Sequence, residues 1–424
     1  MFLYLLIKLN VTKLKLILIL FSCLQLTKEF KKLDLAKKNV LTLAIAQGLS
    51  ITSTGINIIH TGLVGIMLAP KPEYATIPLS FQFITVALTL IPISLLMGKF
   101  GRKIIFFLGV ISCFLGSLLV VYAIFEKSFI IFIFGAILIG LAQSTQQFYR
   151  YAATDNVPNE FKSKAISLVL GGGIIAAILG PELSKISYNY ITEYEYLSAY
   201  LIGASIQIIN FFVLLFLKIP PDKKTSEVKR SVSSILTQKR LILAVCAAAL
   251  GYSLMSFLMT AAPLQIVNIC KLGNDTSANV IQWHVIAMFA PSFFTGYLIT
   301  SYGNRKIMLL GIIFYLFSIY FGTVGAKAYH FWLSLFFCGL GWNFLYVGGS
   351  DEIAKSTNPK ERASVQGITD FIIFFSVSLA SLLAGTLHSN IGWTQMLYIS
   401  LIPLSFLGIY VISLFFSKEA KVIS

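Results

Sequence analysis

Twelve long apolar stretches run through this chain, and lysine and arginine gather on every second connection between them. A run of about 20 apolar residues crosses the roughly 30 Å hydrocarbon core of a bilayer. Inside that core a segment must satisfy its own backbone, which a helix does. The stretches lie at 40–62, 74–97, 104–125, 128–149, 163–187, 196–217, 240–262, 278–301, 306–326, 329–351, 363–388 and 392–416. One set of alternating connections carries 25 Lys and Arg, the other only five: Lys71, Lys127, Lys185, Lys271 and Lys327. Basic residues in short loops stay on the cytoplasmic side. The pattern predicts an all-α integral membrane protein of 12 transmembrane helices in the inner (plasma) membrane, with both termini cytoplasmic.

Composition excludes the soluble classes. Of 424 residues 57% are hydrophobic and 12% charged, against about 25% charged in a soluble domain. The net charge of +16 reads as topology signal and contact with anionic lipid head groups, not as a nucleic-acid footprint. Cys23, Cys113, Cys246, Cys270 and Cys338 lack metal-ligand spacing and read as small apolar residues, so neither a disulfide framework nor a metal site is expected.

Residues 1–39 carry a short apolar run at 14–26 after Lys8, Lys13 and Lys15. It resembles a signal sequence, but cleavage would leave the basic run Lys28–Lys38 outside. An interfacial amphipathic segment, or residues upstream of the true start, fits better. The polar stretch 218–239, with Pro220-Pro221, reads as a cytoplasmic linker between six-helix bundles at 40–217 and 240–417, followed by a tail at 418–424.

The two halves repeat at an offset near 200 residues. Gly101-Arg102-Lys103-Ile104 answers to Gly303-Asn304-Arg305-Lys306-Ile307, and Asn156-Val157-Pro158-Asn159-Glu160 to Thr357-Asn358-Pro359-Lys360-Glu361. Repeated bundles around a midplane site are a signature of secondary transporters. The stretch from Ser94 through Gly98, Gly101, Arg102 and Lys103, echoed from Gly296 to Gly303 and Arg305, resembles the loop motif G-x-x-x-D-R-x-G-R-R/K of the major facilitator superfamily. The resemblance covers about residues 40–417 and implies two pseudo-symmetric six-helix bundles. In that family the motif's Asp helps lock the cytoplasmic gate; both copies here lack it.

Gln47, Ser50, Thr54, Asn57 and Thr61 recur at spacings of three and four, on one helical face. Such a face avoids lipid. It either bonds neighbouring helices or, as the family resemblance implies for helices 1, 4, 7 and 10, lines a central cavity. The other cavity candidates are Gln143 and Gln147 in the fourth stretch, and Trp342, Asn343 and Tyr346 in the tenth. Arg150 is either a snorkelling side chain or an intramembrane charge with a partner to be named. Asp370 lies roughly 10 Å inward from Ala363 at 1.5 Å per residue, and pairing with Arg150 or Arg362 would make a cytoplasmic gate. Glu182, His284 and His60 lie at comparable outer depths and, if they met, would form either a proton-binding site or a static polar contact.

The sequence therefore predicts a secondary active transporter of a small organic solute, working by alternating access and proton-coupled by default. It is read as a monomer whose partners are that substrate, the coupling proton and membrane lipids. No cofactor is expected, and no phosphate loop for ATP is present. Amides beside aromatics suit uptake of a flavin-like vitamin, and the stretch at 341–349 resembles facilitators linked to vitamin uptake. Export of drug-like amphiphiles is the competing reading. The run 171–173 with Gly180-Pro181 is similar to the helix-5 motif of facilitator antiporters, but Ser184 and Lys185 stand where paired glycines would follow. An integral membrane transferase would need clustered acid–base groups, and the four histidines are scattered.

Overall fold

The computed structural model describes residues 34–416 except 72–73, 75–76, 156, 188–193, 195, 220–231 and 359. Among these, all regular structure is helical. The first half holds α1 (Leu35–Leu68), α2 (Ile77–Phe100), α3 (Arg102–Phe125), α4 (Phe129–Ala152), α5 (Asn159–Gly171 continued by Gly173–Ser187) and α6 (Leu197–Leu215). The second holds α7 (Lys239–Pro263, extended by a π turn at Leu264–Ile269), α8 (Asn274–Phe289 with Ser292–Tyr302), α9 (Asn304–Thr323) and α10 (Ala328–Lys355). The last two helices, α11 and α12, are the arms of Arg362–Phe416. The chain reverses between them at Gly392, where φ is 77°.

Eleven helices among the described residues are long and apolar enough to cross a bilayer. The remaining one, α1, is 34 residues long and carries the polar stripe. It starts five residues before the sequence-predicted point because Asp34 caps it, accepting a hydrogen bond from the Lys37 amide at 2.8 Å. That bond, together with the Lys37 charge, holds the exposed Asp34 carboxyl below its ordinary value. The linker is not wholly irregular either: Val232–Leu236 is a short helix, and Ile235 is fully buried. The remainder of the linker, the N-terminal segment before Asp34 and the tail at 418–424 lie outside the described residues.

Lipid contact is written on α3. Ile104, Leu108, Ile111, Leu115, Leu118, Tyr122 and Phe125 are all exposed and recur at three- and four-residue spacing. The opposite face of α3 packs on α4 and α6, while α1 packs on α5 and α6. In the second half α10 lies at the centre, against α7, α8 and α9. In lipid, helices associate through close packing and interhelical hydrogen bonds rather than through a hydrophobic drive.

The repeat is visible in the backbone. Between α2 and α3 the turn is a single residue, Gly101, with φ 86° and ψ 149°; between α8 and α9 it is Gly303, with φ 84° and ψ 152°. A side chain is strained at such φ values. One glycine at each equivalent corner turns the chain through the same backbone conformation.

The halves meet along two seams, α2 against α11 and α5 against α8. Polar contacts across both gather at the basic end of the bundle. Ser94 of α2 donates to the Ala363 carbonyl at 2.5 Å, and a Cβ on Gly98 would lie 3.0 Å from the Ala363 methyl. On the other seam a Cβ on Gly296 would meet the Ser163 carbonyl at 2.5 Å. Backbones this close leave no passage: the basic end is shut.

Candidate functional site

Helix α4 breaks at its basic end. Its first segment stops at Gln146 and a four-residue turn, Tyr149–Ala152, resumes it. The break frees the Gln147 carbonyl, which an unbroken helix would bond internally. Arg150 Nη1 donates to that carbonyl at 2.5 Å. The same turn sends three consecutive large side chains in different directions. Tyr149 packs edge-on against Phe106 inside the first half, while Arg150 and Tyr151 cross into the second.

Arg150 is 2% exposed and Asp370, on α11, is fully buried. Arg150 Nη2 lies 2.6 Å from Asp370 Oδ1, to which the Tyr151 hydroxyl also donates at 3.1 Å. Arg150 Nε donates to Ser350 of α10 at 3.1 Å. The Tyr151 and Tyr346 rings lie over the guanidinium, 4.3 and 4.9 Å from its carbon, which favours a desolvated cation. The other carboxylate oxygen, Asp370 Oδ2, has no hydrogen-bond partner among the described residues. The site thus joins α4 of one half to α10 and α11 of the other.

Above the pair sits an aromatic cluster. Trp342 stacks on Tyr346 at 5.0 Å between centroids. Tyr252 of α7 meets Trp342, Tyr346 and Phe374 edge-on, and Phe289 meets Trp342. The indole Nε1 of Trp342 and the hydroxyl of Tyr346 are buried with no hydrogen-bond partner among the described residues. These rings all belong to the second half and pack on one another, with Trp342, Tyr346, Phe289 and Phe374 buried; aromatic faces with unused polar tips suit a planar heterocycle.

Toward the basic end, Asp155 bridges two arginines from opposite halves. Arg102 Nε lies 2.7 Å from one of its oxygens and Arg362 Nη1 2.8 Å from the other. Arg102 also donates to Gln366 at 3.1 Å. Asp155, just past the end of α4, thus sets a carboxylate beside Arg102 of the loop motif. The second seam is arranged alike: Asp351 accepts from Ser163 of α5 at 2.8 Å and from Asn304 at 2.7 Å, and pairs with Lys355 at 2.8 Å. Lys103 works within its own half, donating to the carbonyl of Leu215, the last residue of α6, and to that of Leu217 just beyond it. Arg305 lies half-buried at the start of α9.

Several candidates lie elsewhere. The α1 stripe turns into its own bundle: Ser50 accepts from Asn210 of α6 at 2.9 Å, Thr61 meets Tyr200 at 3.3 Å, and Asn57 lies against Gly203. Thr54 and Ser50 border a small cavity with Cys113, Gln146, Tyr149 and Gln207, all of the first half. Gln47 is buried with its Oε1 unpartnered. Gln143 accepts from Gln82 of α2 at 3.0 Å, and Gln147 serves Arg150.

Asn343 is saturated by α8, accepting from Thr295 at 2.7 Å and donating to the Met288 carbonyl at 2.6 Å and to Ser292 at 2.5 Å. Asn343→Ala is therefore expected to cost about 1–3 kcal/mol of stability by leaving these buried groups unpaired, read as a lowered melting temperature, with little change in solute affinity.

The expected Glu182–His284 contact is not formed. His284 Nδ1 bonds the Leu335 carbonyl of α10 at 2.6 Å and Nε2 has no hydrogen-bond partner. Gly339 lets α10 approach the α8 backbone so closely that the ring turns inward. His60 packs instead against Tyr196, 5.4 Å between centroids. Tyr151, Asp155, Tyr252 and Gln366 were not singled out from the sequence. Asp155 carried the one usable signal, an acid in a connection otherwise rich in Lys and Arg.

Two helical bundles that meet around buried charge and aromatic rings, and seal at one end, define a membrane transporter. The chain belongs to the Major Facilitator Superfamily, whose sequence profile matches residues 40–269 and 271–423. It is 38% identical over 362 residues to the riboflavin transporter RfnT of Brucella anthropi, covering 84% of this chain and 91% of that protein. It is 25% identical over 412 residues to YddS, an uncharacterized transporter of the same superfamily from Bacillus subtilis, covering 92% and 93%. Among solved structures, the E. coli fucose:proton symporter FucP superposes with a TM-score of 0.69 at 15% identity, covering 89% of this chain and 98% of that one. A bacterial homologue of the iron transporter ferroportin gives 0.68 at 13% identity, covering 88% and 98%.

Proposed function

We propose that this protein carries riboflavin or a closely related flavin across the inner membrane by alternating access, with the basic end in the cytoplasm. The relative named for riboflavin transport, at 38% identity over most of both chains, is the observation that carries this reading. The aromatic cluster of Tyr252, Phe289, Trp342, Tyr346 and Phe374 supports it, since stacking and a few polar tips suit an isoalloxazine ring. Bundles at 40–217 and 240–417, joined by the 218–239 linker, rock about the site. In this reading the shut basic end belongs to one end state of the cycle, and a co-transported proton drives uptake. The solute crosses unchanged, as befits a carrier and not an enzyme.

The test is uptake of labelled riboflavin into proteoliposomes, with recovery of chemically unaltered riboflavin from the lumen. A thermal-shift titration with riboflavin, FMN and lumiflavin reads binding by mass action. If none raises the melting temperature, the flavin assignment fails. Trp342→Ala is expected to weaken riboflavin affinity about tenfold or more. Trp342→Phe, which keeps a ring but loses the N–H donor, falls between.

A further inference from the structure

Of the carboxylates that bridge the two halves, Asp155 has Arg102 on one oxygen and Arg362 on the other. Asp351 likewise divides between Ser163 on one oxygen and Asn304 and Lys355 on the other. Asp370 differs. Its Oδ1 takes both Arg150 and Tyr151, and its fully buried Oδ2 takes nothing. A buried carboxylate with one bare oxygen has room for a proton on that oxygen without loss of any existing bond.

Arg150 is equipped to outlast the loss of its counter-charge. Its other donors reach the Gln147 carbonyl and Ser350, and two tyrosine faces cover it. Among the described residues the surrounding elements offer no competing acid. Tyr151 faces the carboxylate from α4, Tyr346 lies over Arg150 from α10, and Tyr252 of α7 meets Tyr346 and Phe374. The buried face of α2 presents Leu90, Ile93, Ser94 and Met97. One turn toward the basic end, Gln366 occupies Arg102.

We propose that Asp370 is the proton-binding carboxylate of the transport cycle and that Arg150 is its releasable counter-charge. The proposal rests on the alternating-access reading. A proton arriving from the outer side bonds to Oδ2, and the pair passes from neutral to a net charge of +1. The attraction holding α4 to α11 falls, and the basic end opens. The O–H bond breaks on the cytoplasmic side, the proton leaves to water there, and the ion pair re-forms as the basic end closes.

The test reads conformation and needs no substrate. Spin labels are placed on cysteines introduced at Phe100 and Tyr302, exposed ends of α2 and α8, with the native cysteines removed. Distances are measured in nanodiscs from about pH 5 to about pH 8. The wild type is expected to move from short to long separation as pH falls. Asp370→Asn is expected to give the long separation at every pH, and Asp370→Glu a pH response with a displaced midpoint. An Asp370→Asn response equal to wild type overturns the proposal. If that variant does not fold, an Asp370→Glu midpoint identical to wild type does the same.

A riboflavin arm separates the two readings. Loss of ΔpH-driven accumulation in an Asp370→Asn variant that still binds riboflavin supports the assignment; accumulation retained overturns it. Absence of riboflavin counterflow in the wild type refutes the flavin reading and leaves the pH switch to be judged on the distances.

Discussion

Arg150→Met is expected to abolish transport and to lower stability by about 3–5 kcal/mol, the usual cost of stranding a buried charge. Asp370 would keep Tyr151 but lose its ion pair, in a place with no exposed surface. Ser350 and the Gln147 carbonyl would lose their donor as well. Adding Asp370→Leu to that variant removes the stranded charge. Replacing a whole buried pair with apolar residues is often neutral or even stabilising, so the double variant is expected to regain most of the melting temperature. It is not expected to regain transport. Thermal melting of the two variants and the wild type in detergent, beside uptake in proteoliposomes, checks both halves of the expectation. If the double variant transports, the charges are structural only.

Gly296→Leu is expected to keep the fold and to lose transport by holding the basic end open. The groups a Cβ would strike belong to the opposite half: the Ser163 carbonyl at 2.5 Å, Lys164 Cα at 2.7 Å and Ser167 Cβ at 2.8 Å. The nearest two are backbone, so no rotamer change relieves the clash. Overpacking of this kind typically costs about 1–3 kcal/mol when it must be accommodated. Here the bundles accommodate it by parting, because α8 itself is undisturbed. Cysteine cross-linking across the α5–α8 seam is expected to fall by at least about tenfold, a shift of roughly 1.4 kcal/mol in the closed-state population. Gly180→Leu is the control, since a Cβ there meets nothing within 4 Å. A normal cross-linking yield in Gly296→Leu would show that this seam does not govern closure.

Much of the architecture is legible in the sequence because a bilayer leaves few options. Length, apolarity and loop charge specify the helices, and the Gly101 and Gly303 corners are the same signal read twice. The site is legible in part. Arg150 and Asp370 stand out as charges at membrane depth, and each needs a partner. Arg150 and Arg362 were equal candidates for Asp370; the break in α4, which no periodicity announces, decides between them.

Periodicity also puts the α1 polar residues on one face without saying which neighbour that face meets. A notch at Gly203 and the Asn210 amide on α6 draw the stripe into its own bundle. The loop motif lacks its carboxylate at Gly98, and Asp155 sets one beside Arg102 from the next basic connection, where the motif's spacing gives no sign of it. Tyr252 is lost among a 14% aromatic content.

Asn39 and Lys218 form a reciprocal clasp across the first half. The Asn39 side-chain amide donates to the Lys218 carbonyl at 2.7 Å and its oxygen accepts the Lys218 amide proton at 3.0 Å. With Lys103 gripping the same corner, the start of α1, the start of α3 and the exit from α6 are riveted together. On the alternating-access proposal, a corner tied at three helix ends is expected to turn as one piece with its bundle and to keep its distances in both end states.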